Sequence, residues 1–138
     1  MHFRLTRNDG HDIEFALLCL SYRSIHFSEF KDWIFHVIEH ADDPPPYLFD
    51  MLDVQTLRDF KPSGLMGWHD EAGISDEEAD ALRGISFLRN ITSHEDTISK
   101  AAALATLQAN GAFFERVKRF FPFLDLETVA GPDPDKGW

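Results

Sequence analysis

A triple proline at residues 44–46 divides the most strongly patterned stretch of the chain, residues 27–53. Before the prolines, apolar residues recur at helical spacing and define one stripe: Phe27, Phe30, Ile34, Val37, Ile38 and Ala41. Proline disfavours helical geometry in the residue before it, so three in a row require an extended, rigid corner. The stretch therefore predicts two helices joined by a fixed corner, and we expect the rest of the chain to pack on this unit.

The bounds of these two helices follow from their caps. The first is predicted over residues 29–41, with Ser28 as its N-cap and Trp33 on the flank of the stripe. The second is predicted over residues 47–60, and Pro46 can serve as its first helical residue. The side chains expected to be largely buried in the fold are Trp33, Ile34, Phe87 and Phe121.

Ser75 gives the clearest helix start in the chain. Ser75 stands at N-cap and Glu78 at N3 of a capping box, and three acids in the first turn favour the positive helix end. This helix is predicted to end near Asn90. Gly84 lies within its wide apolar stripe, and we interpret this glycine as the point where a neighbouring helix crosses closely.

Three further helices complete the prediction, over residues 13–22, 93–110 and 112–121. Asn8, Asp9 and Asp12 are candidate caps for the first of them, and Ser93 for the second. The Asn110-Gly111 pair signals a helix end. Residues 61–74 lack periodicity but contain apolar side chains, which predicts a packed surface loop.

Length and composition indicate one domain. With 138 residues, 43% of them hydrophobic, the chain can build a substantial core. We predict an all-α, single-domain bundle of five or six helices over residues 1–138, with a short N-terminal strand as an option and an irregular C-terminal tail at residues 123–138. The lone cysteine, Cys19, excludes an intramolecular disulfide and is interpreted as a small buried hydrophobe. The first residues lack a secretory-signal pattern, so a cytoplasmic location is expected.

The net charge of −11 is concentrated in one region. Residues 32–80 hold thirteen of the 24 acids but only two of the 13 lysines and arginines, which leaves the remainder neutral. A concentrated acidic surface repels nucleic acid and anionic lipid and accelerates encounter with basic proteins. We therefore expect a basic protein partner, with no nucleic acid and no membrane. A merely solubilising surface is the open alternative.

The candidate partner-binding residues combine negative charge with rigid presentation, which reduces the entropy lost on binding. One set follows the proline corner, and the other surrounds the Ser75 helix start and the loop before it. The candidates are Asp42, Asp43, Asp50, Asp53, Trp68, Asp70, Glu71, Asp76, Glu77, Glu78 and Asp80.

One motif has the spelling of a metal site. His36-Val37-Ile38-Glu39-His40 matches the H-x-x-E-H pattern of inverted zinc peptidases, in which two His on one helix face bind zinc beside a Glu base. Glu115 is a candidate third ligand. A small metal-dependent hydrolase is therefore an alternative function, although a five-residue match arises readily by chance and two partly exposed histidines account for it more simply.

Other signatures of catalysis are missing from the sequence, which has no phosphate-binding glycine loop, nucleophile elbow or dinucleotide fingerprint. We therefore expect a binding protein and not an enzyme, with no catalytic residue, no metal and no cofactor.

Residues 30–33 (FKDW) and 42–50 (DDPPPYLFD) together resemble a pattern in small bacterial immunity proteins of contact-dependent and polymorphic toxin systems. The resemblance covers residues 30–50 only. It implies a short, acidic, helical, cytosolic protein that binds and neutralises a cognate toxin domain, which in many such systems is a nuclease with a basic cleft. A generic bacterial interaction domain is the other alternative.

Overall fold

The computed structural model describes residues 2–69, 73–91 and 97–128. Within these ranges the chain forms seven α-helices, a short 3-10 turn at Leu57–Asp59 and no β-strand, which confirms the all-α prediction. The helices are α1 (His11–Ser21), α2 (Phe27–His40), α3 (Tyr47–Asp53), α4 (Pro62–Met66), α5 (Asp76–Leu88), α6 (Lys100–Ala109) and α7 (Gly111–Phe120). The predicted count of five or six was too low, chiefly because α4 lies in a stretch without helical periodicity.

The N-terminal segment forms a tight turn where a short strand was an option. Thr6 and Asp9 pair as an isolated antiparallel bridge, and Asn8 between them has a left-handed φ of 65°. The backbone N–H of Arg4 donates to Oδ2 of Asp12 at 2.7 Å, which fastens the segment to the first turn of α1. The side chain of Asp12 therefore holds the preceding segment and does not cap α1.

The predicted N-cap of α2 was wrong, because the cap is His26 and not Ser28. Nδ1 of the His26 ring accepts a hydrogen bond from the Ser28 N–H at 3.2 Å. Oε1 of Glu29 accepts one from the His26 N–H at 2.8 Å, which completes a capping box. A neutral imidazole nitrogen is a competent acceptor, but histidine is absent from the usual cap preferences.

One cluster of buried apolar side chains draws on every helix except α4, whose Leu65 and Met66 pack on it partly buried. Trp33 is only 1% exposed, although its position suggested a flank. Its indole stacks on the ring of Phe120, with centroids 5.6 Å apart, so α7 covers that flank of α2. The predicted burial is confirmed for all four residues, Trp33, Ile34, Phe87 and Phe121.

α3 ends at Asp53, well before the predicted limit at residue 60. Val54 turns into extended geometry, and its carbonyl accepts a hydrogen bond from the Lys31 ammonium of α2. The chain then re-enters the core at Phe60, whose ring lies 5.3 Å from that of Phe27. Tertiary contacts with α2 therefore end the helix where the local sequence permits continuation.

α5 begins with the predicted capping box. Oγ of Ser75 accepts the Glu78 N–H at 3.1 Å, and Oε1 of Glu78 accepts the Ser75 N–H at 2.9 Å. α5 and α6 form the most extensive helix pair in the described residues. A Cβ atom added at Gly84 would lie 2.6 Å from the carbonyl oxygen of Ala103 and 2.9 Å from Cβ of Leu107. The close crossing expected at Gly84 is thereby confirmed.

The Ser93 start predicted for the next helix lies outside the described residues. In the described part α6 begins at Lys100, and Oγ of Ser99 caps it by accepting the Ala102 N–H at 3.1 Å. Asn110 ends α6, as predicted, and immediately precedes α7. Of the predicted irregular tail, residues 123–128 form turns, and residues 129–138 lie outside the described ranges.

A buried ion pair joins the start of α2 to the end of α5. Nη1 and Nη2 of Arg89 donate to Oε1 and Oε2 of Glu29 at 2.8 and 2.6 Å. Nη1 also donates to the Ser24 carbonyl at 3.0 Å, and Nε donates to the Thr128 carbonyl at 3.3 Å. Arg89 therefore connects four separate segments of the fold.

Candidate functional site

The unit of α2, the proline corner and α3 (residues 27–53), which we call the acidic hairpin, exposes negative charge only. Its exposed acids are Asp32, Glu39, Asp42, Asp43, Asp50 and Asp53. Lys31 is the one lysine or arginine in this range, and its ammonium is bound to the Val54 carbonyl and lies 4.9 Å from the Phe27 ring. The seventh acid, Glu29, is paired with Arg89. The candidates Asp42, Asp43, Asp50 and Asp53 thus share one structural unit.

Two phenylalanines stand out on the acidic hairpin. Phe35 is 58% exposed and Phe49 is 49% exposed, more than any other large apolar side chain in the described residues. On α2, Asp32 and Glu39 stand three residues before and four residues after Phe35, so they share its helix face. On α3, Asp53 stands four residues after Phe49 and so shares its helix face. Exposed aromatic side chains bordered by charges are the usual make-up of a protein-binding anchor and its rim.

The sequence offered one signal for this pair, because both phenylalanines fall outside the apolar stripes of their helices. Within α2 the core-facing positions include Phe30, Ile34 and Val37, and Phe35 lies between them on the other side. Within α3, Leu48 and Met51 are buried and Phe49 is not. A large aromatic residue off the stripe is therefore a candidate for contact with another molecule.

The proline corner is held against the N-terminal segment of the chain. The phenol of Tyr47 donates to the Leu5 carbonyl, and Asp43 and Pro45 line a small cavity together with Phe3 of the N-terminal segment. Burial raises the pKa of the Tyr47 phenol, and the nearby Glu14 carboxylate raises it further, so this group remains a hydrogen-bond donor. The acids that flank the corner are consequently presented on a fixed backbone.

The second predicted set lies in and before the first turns of α5. Asp76 and Glu77 are exposed there, whereas Glu78 is engaged in the capping box and Asp80 accepts a hydrogen bond from Nη1 of Arg83 at 2.7 Å. Asp70 and Glu71 lie outside the described residues. The structure thus places Asp76 and Glu77 on an element other than the acidic hairpin.

Trp68, the apolar member of that set, is half-buried. Its ring meets the Tyr47 ring edge-on, with centroids 6.3 Å apart. A Cβ atom at Gly10 would lie 2.5 Å from Cη2 of the indole, so Trp68 packs directly on that glycine. Trp68 therefore packs at the junction of Gly10 with Tyr47 of α3.

The two histidines of the zinc-like motif lie side by side, with ring centroids 4.5 Å apart. Nδ1 of His40 is 2.8 Å from the His36 carbonyl oxygen, to which it can donate when protonated. Burial lowers the pKa of His36, and His40 lowers it further, while Glu39 opposes both effects. Glu115, the candidate third ligand, accepts a hydrogen bond from Lys118 at 3.1 Å. In residues 2–69, 73–91 and 97–128, no three His, Cys, Asp or Glu side chains are grouped to hold a metal ion.

Purified protein should contain much less than one zinc per chain by elemental analysis. Replacing both His36 and His40 by Ala should then change the melting temperature by only a few degrees, because substitutions near the surface rarely alter the free energy of unfolding by more than about 0.5 kcal/mol. The control replaces two other exposed histidines, His2 and His69. One zinc per chain that the first double replacement removes and the second retains would contradict this expectation.

A cavity of about 510 Å³ extends along one side of α1. Its α1 wall follows the spacing i, i+3, i+4, i+7 on one helix face, with Glu14, Leu17, Leu18 and Ser21. The opposite wall comes from the 3-10 turn, α4 and the residues between them, with Leu57, Phe60, Pro62 and Met66. Sites for small molecules commonly have volumes of roughly 300–1,000 Å³ and mostly apolar walls.

The two ends of this cavity differ in charge. At one end the side chain of Glu14 is only 5% exposed, and Nδ1 of His69 lies 3.6 Å from its Oε1. At the other end stands Arg23, whose Nη1 donates to the Leu20 carbonyl at 3.3 Å. Sequence reasoning passed over Glu14, although an acid within an apolar helical run was the available signal for a buried carboxylate.

Cys19, on the core side of α1, is fully buried. Burial raises the pKa of its thiol, an effect that outweighs the opposing influence of Arg116. The thiolate is the nucleophilic form of cysteine, so this residue serves as the small apolar side chain that the sequence predicted.

Comparisons with protein-family models, with curated proteins and with solved structures found no match to this chain. No described helix is both long and apolar enough to cross a membrane.

Proposed function

We propose that this protein is a protein-binding module, an immunity protein that neutralises a cognate basic toxin domain of a bacterial toxin system. The acidic hairpin is the binding surface. The observation that carries the proposal is the presence of two exposed aromatic anchors, Phe35 and Phe49, among six exposed carboxylates on one rigid unit.

The charges and the aromatic side chains have separate roles in this proposal. Exposed carboxylates attract a basic protein over a distance of about 8–10 Å at physiological salt and so raise the association rate. Phe35 and Phe49 bury apolar area after contact and so slow dissociation. A toxin that cleaves nucleic acid binds a polyanion, and an acidic surface fits the same basic cleft.

Asp32 gives a local reason for a cation to bind beside Phe35. Burial raises the pKa of the Asp32 carboxyl, and the neighbouring Glu29 raises it further. A lysine or arginine of the partner would favour the ionised form of Asp32 and so offset the effects of burial and of Glu29 on its pKa. A surface that only improves solubility would gain nothing from placing Asp32 next to both an acid and an exposed phenylalanine.

The test is kinetic binding to the toxin domain encoded beside this chain's gene, measured at about 50 and 200 mM salt. Replacing Asp50 and Asp53 by Lys should lower the association rate about tenfold, and high salt should produce a similar loss. The matched control replaces Glu115 and Glu127 by Lys, which changes the net charge equally and leaves the acidic hairpin intact. Both double variants should retain wild-type helix content by circular dichroism.

The phenylalanines and the second acidic set complete this experiment. Phe35→Ala and Phe49→Ala should each raise the dissociation rate about tenfold while leaving the association rate nearly unchanged. Replacing Asp76 and Glu77 by Lys shows whether the α5 set contributes to binding. An association rate that is indifferent to salt and to the replacement of Asp50 and Asp53 by Lys would refute the proposal. Binding without inhibition of toxin activity would indicate a generic interaction domain.

A further inference from the structure

We propose that the small cavity between the N-terminal segment and the proline corner receives one arginine side chain of the protein partner, whose guanidinium pairs with Asp43. We call it the corner cavity. Its walls include Phe3, Leu5 and Thr6 from the segment and Ala41 and Pro45 from the acidic hairpin. This inference rests on the proposed function, because it names the partner side chain that the acidic hairpin holds.

The size of the corner cavity suits a single side chain. Its volume is about 190 Å³, below the roughly 300–1,000 Å³ of most small-molecule sites. A water molecule occupies about 30 Å³ in the liquid, so the cavity accommodates about six groups of that size. An arginine side chain has a similar number of heavy atoms, and its methylene groups can cover the apolar wall formed by Leu5, Ala41 and Pro45.

The walls of the corner cavity are held in place by contacts within the chain. The phenol of Tyr47 donates to the carbonyl of Leu5, which ties the start of α3 to the N-terminal segment. The ring of Phe3 meets the ring of His36 edge-on, with centroids 6.0 Å apart, so α2 supports the aromatic wall. Because the cavity is already formed, an entering side chain loses its own rotamer freedom but does not have to order the site.

Asp43 sets the charge of the entering side chain. It lines the cavity and is exposed, and no group in the described part of the chain forms a hydrogen bond or ion pair with its carboxylate. The neighbouring Asp42 already takes part in another interaction, so Asp43 is the acceptor of the cation. Among the described lining residues none is a lysine or arginine, and the guanidinium of Arg4 is bound to Asp9 at 2.7 Å. A cation of the partner can therefore pair with Asp43.

Arginine fits this site better than lysine. A guanidinium is more weakly hydrated than an ammonium, so it loses less on leaving water, and its planar fork matches a carboxylate. The ring of Phe3 in the wall adds an aromatic surface, on which arginine packs more often than lysine. Arginine is also enriched among the residues that dominate the binding energy of protein interfaces. The partner should therefore carry an arginine that is exposed before binding.

Two probes of the same shape test the charge: N-acetylargininamide and its neutral counterpart N-acetylcitrullinamide. Binding is followed by the NMR methyl signals of Leu5, Thr6 and Ala41, at constant ionic strength and at about pH 8, where imidazole side chains are neutral. The arginine probe should bind about fivefold or more tightly than the citrulline probe. Asp43→Asn should remove this preference. Glu127→Gln, the same loss of one charge outside the acidic hairpin, should titrate like the wild type.

A second variant keeps the test decisive if Asp43→Asn does not fold. Ala41→Leu fills the cavity and leaves the carboxylate in place, so it should abolish binding of the arginine probe while helix content by circular dichroism stays unchanged. Equal affinities of the wild type for the two probes, or arginine-probe shifts that persist in Ala41→Leu, would overturn the inference. Tighter binding of N-acetyl-lysinamide than of the arginine probe would identify lysine as the occupant and would overturn it as well.

Kinetic binding to the toxin domain separates this inference from the proposed function. In the complex, Asp43→Asn and Ala41→Leu should each raise the dissociation rate about tenfold or more, because the partner's guanidinium loses its counterion or its cavity. Toxin binding with wild-type dissociation rates in both variants would overturn this inference and leave the proposed function intact. Absence of toxin binding, with the arginine probe still preferred, would refute the toxin as partner and support the cavity as an arginine site.

Discussion

Replacing Arg89 by Ala should lower the free energy of unfolding by about 3–5 kcal/mol, because it leaves the buried carboxylate of Glu29 without its cation. For a chain of 138 residues this corresponds to a fall in melting temperature of roughly 10–15 °C. The side chains of Arg89 and Glu29 are only 3% and 15% exposed, so water can compensate little of the loss. Thermal and urea unfolding followed by circular dichroism would measure it.

The loss of unfolding free energy in Arg89→Ala should exceed the loss expected from breaking an isolated ion pair. Arg89 also donates hydrogen bonds to the main-chain carbonyls of Ser24 and Thr128. The buried carbonyl of Ser24 in the α1–α2 connection and the carbonyl of Thr128 in the C-terminal turn would lose their donor together. Arg89→Lys keeps the positive charge but not the planar two-pronged geometry, so its destabilisation should be intermediate.

A double-mutant cycle separates the ion pair from the capping role of Glu29, which also accepts the His26 N–H. The cycle compares Arg89→Met, Glu29→Leu and the two combined. The double variant should be less destabilised than the sum of the single variants, because neither charge remains buried alone. Strictly additive losses would show that the two side chains do not act as a pair, contrary to the structure.

Features decided by neighbouring residues could be predicted from the sequence. The Ser75 capping box needs only four consecutive residues, and the proline corner follows from the backbone chemistry of three. The helix end at Asn110 was likewise predictable, because it depends only on the adjacent Asn110-Gly111 pair. Even the close crossing at Gly84 was accessible, because a glycine within an apolar helical stripe leaves room for a neighbouring backbone on the face that packs.

Features decided by residues that are far apart in the chain could not be predicted from the sequence. Glu29 and Arg89 are 60 residues apart in the chain, and nothing in either local pattern selects the other. α3 ends at Asp53 because the Lys31 ammonium binds the Val54 carbonyl, although the sequence after Asp53 permits further helix. Trp33 was assigned to a flank because periodicity describes one stripe and does not show that α7 covers a second.

The same distinction between neighbouring and distant residues applies to the candidate sites. The sequence alone located the concentration of acids, since charge counting needs no coordinates, and the structure added the off-stripe anchors Phe35 and Phe49. The cavity along α1 required the structure, because its second wall comes from the segment around Phe60 and Met66, where helical periodicity is absent. Glu14 lines that cavity only because this segment passes beside α1.

Gly84→Ala should lower the free energy of unfolding by about 1–3 kcal/mol, although alanine is the better helix former by roughly 1 kcal/mol. The added Cβ would lie 2.6 Å from the Ala103 carbonyl oxygen, a backbone atom that cannot rotate away. α6 would have to move outwards, and the buried side chains of Ala103 and Leu107 would lose contact with α5. Urea unfolding of the purified variant would measure the change.

Gly64→Ala is the matched control, because the same methyl group is added inside α4, where it meets no atom within 4 Å. With no contact to offset the gain in helix propensity, this variant should be as stable as the wild type or up to about 1 kcal/mol more stable. The contrast between the two variants isolates the crossing of α5 with α6 from the general effect of replacing glycine. Equal stability of both variants would mean that the two helices do not approach as closely as the structure places them.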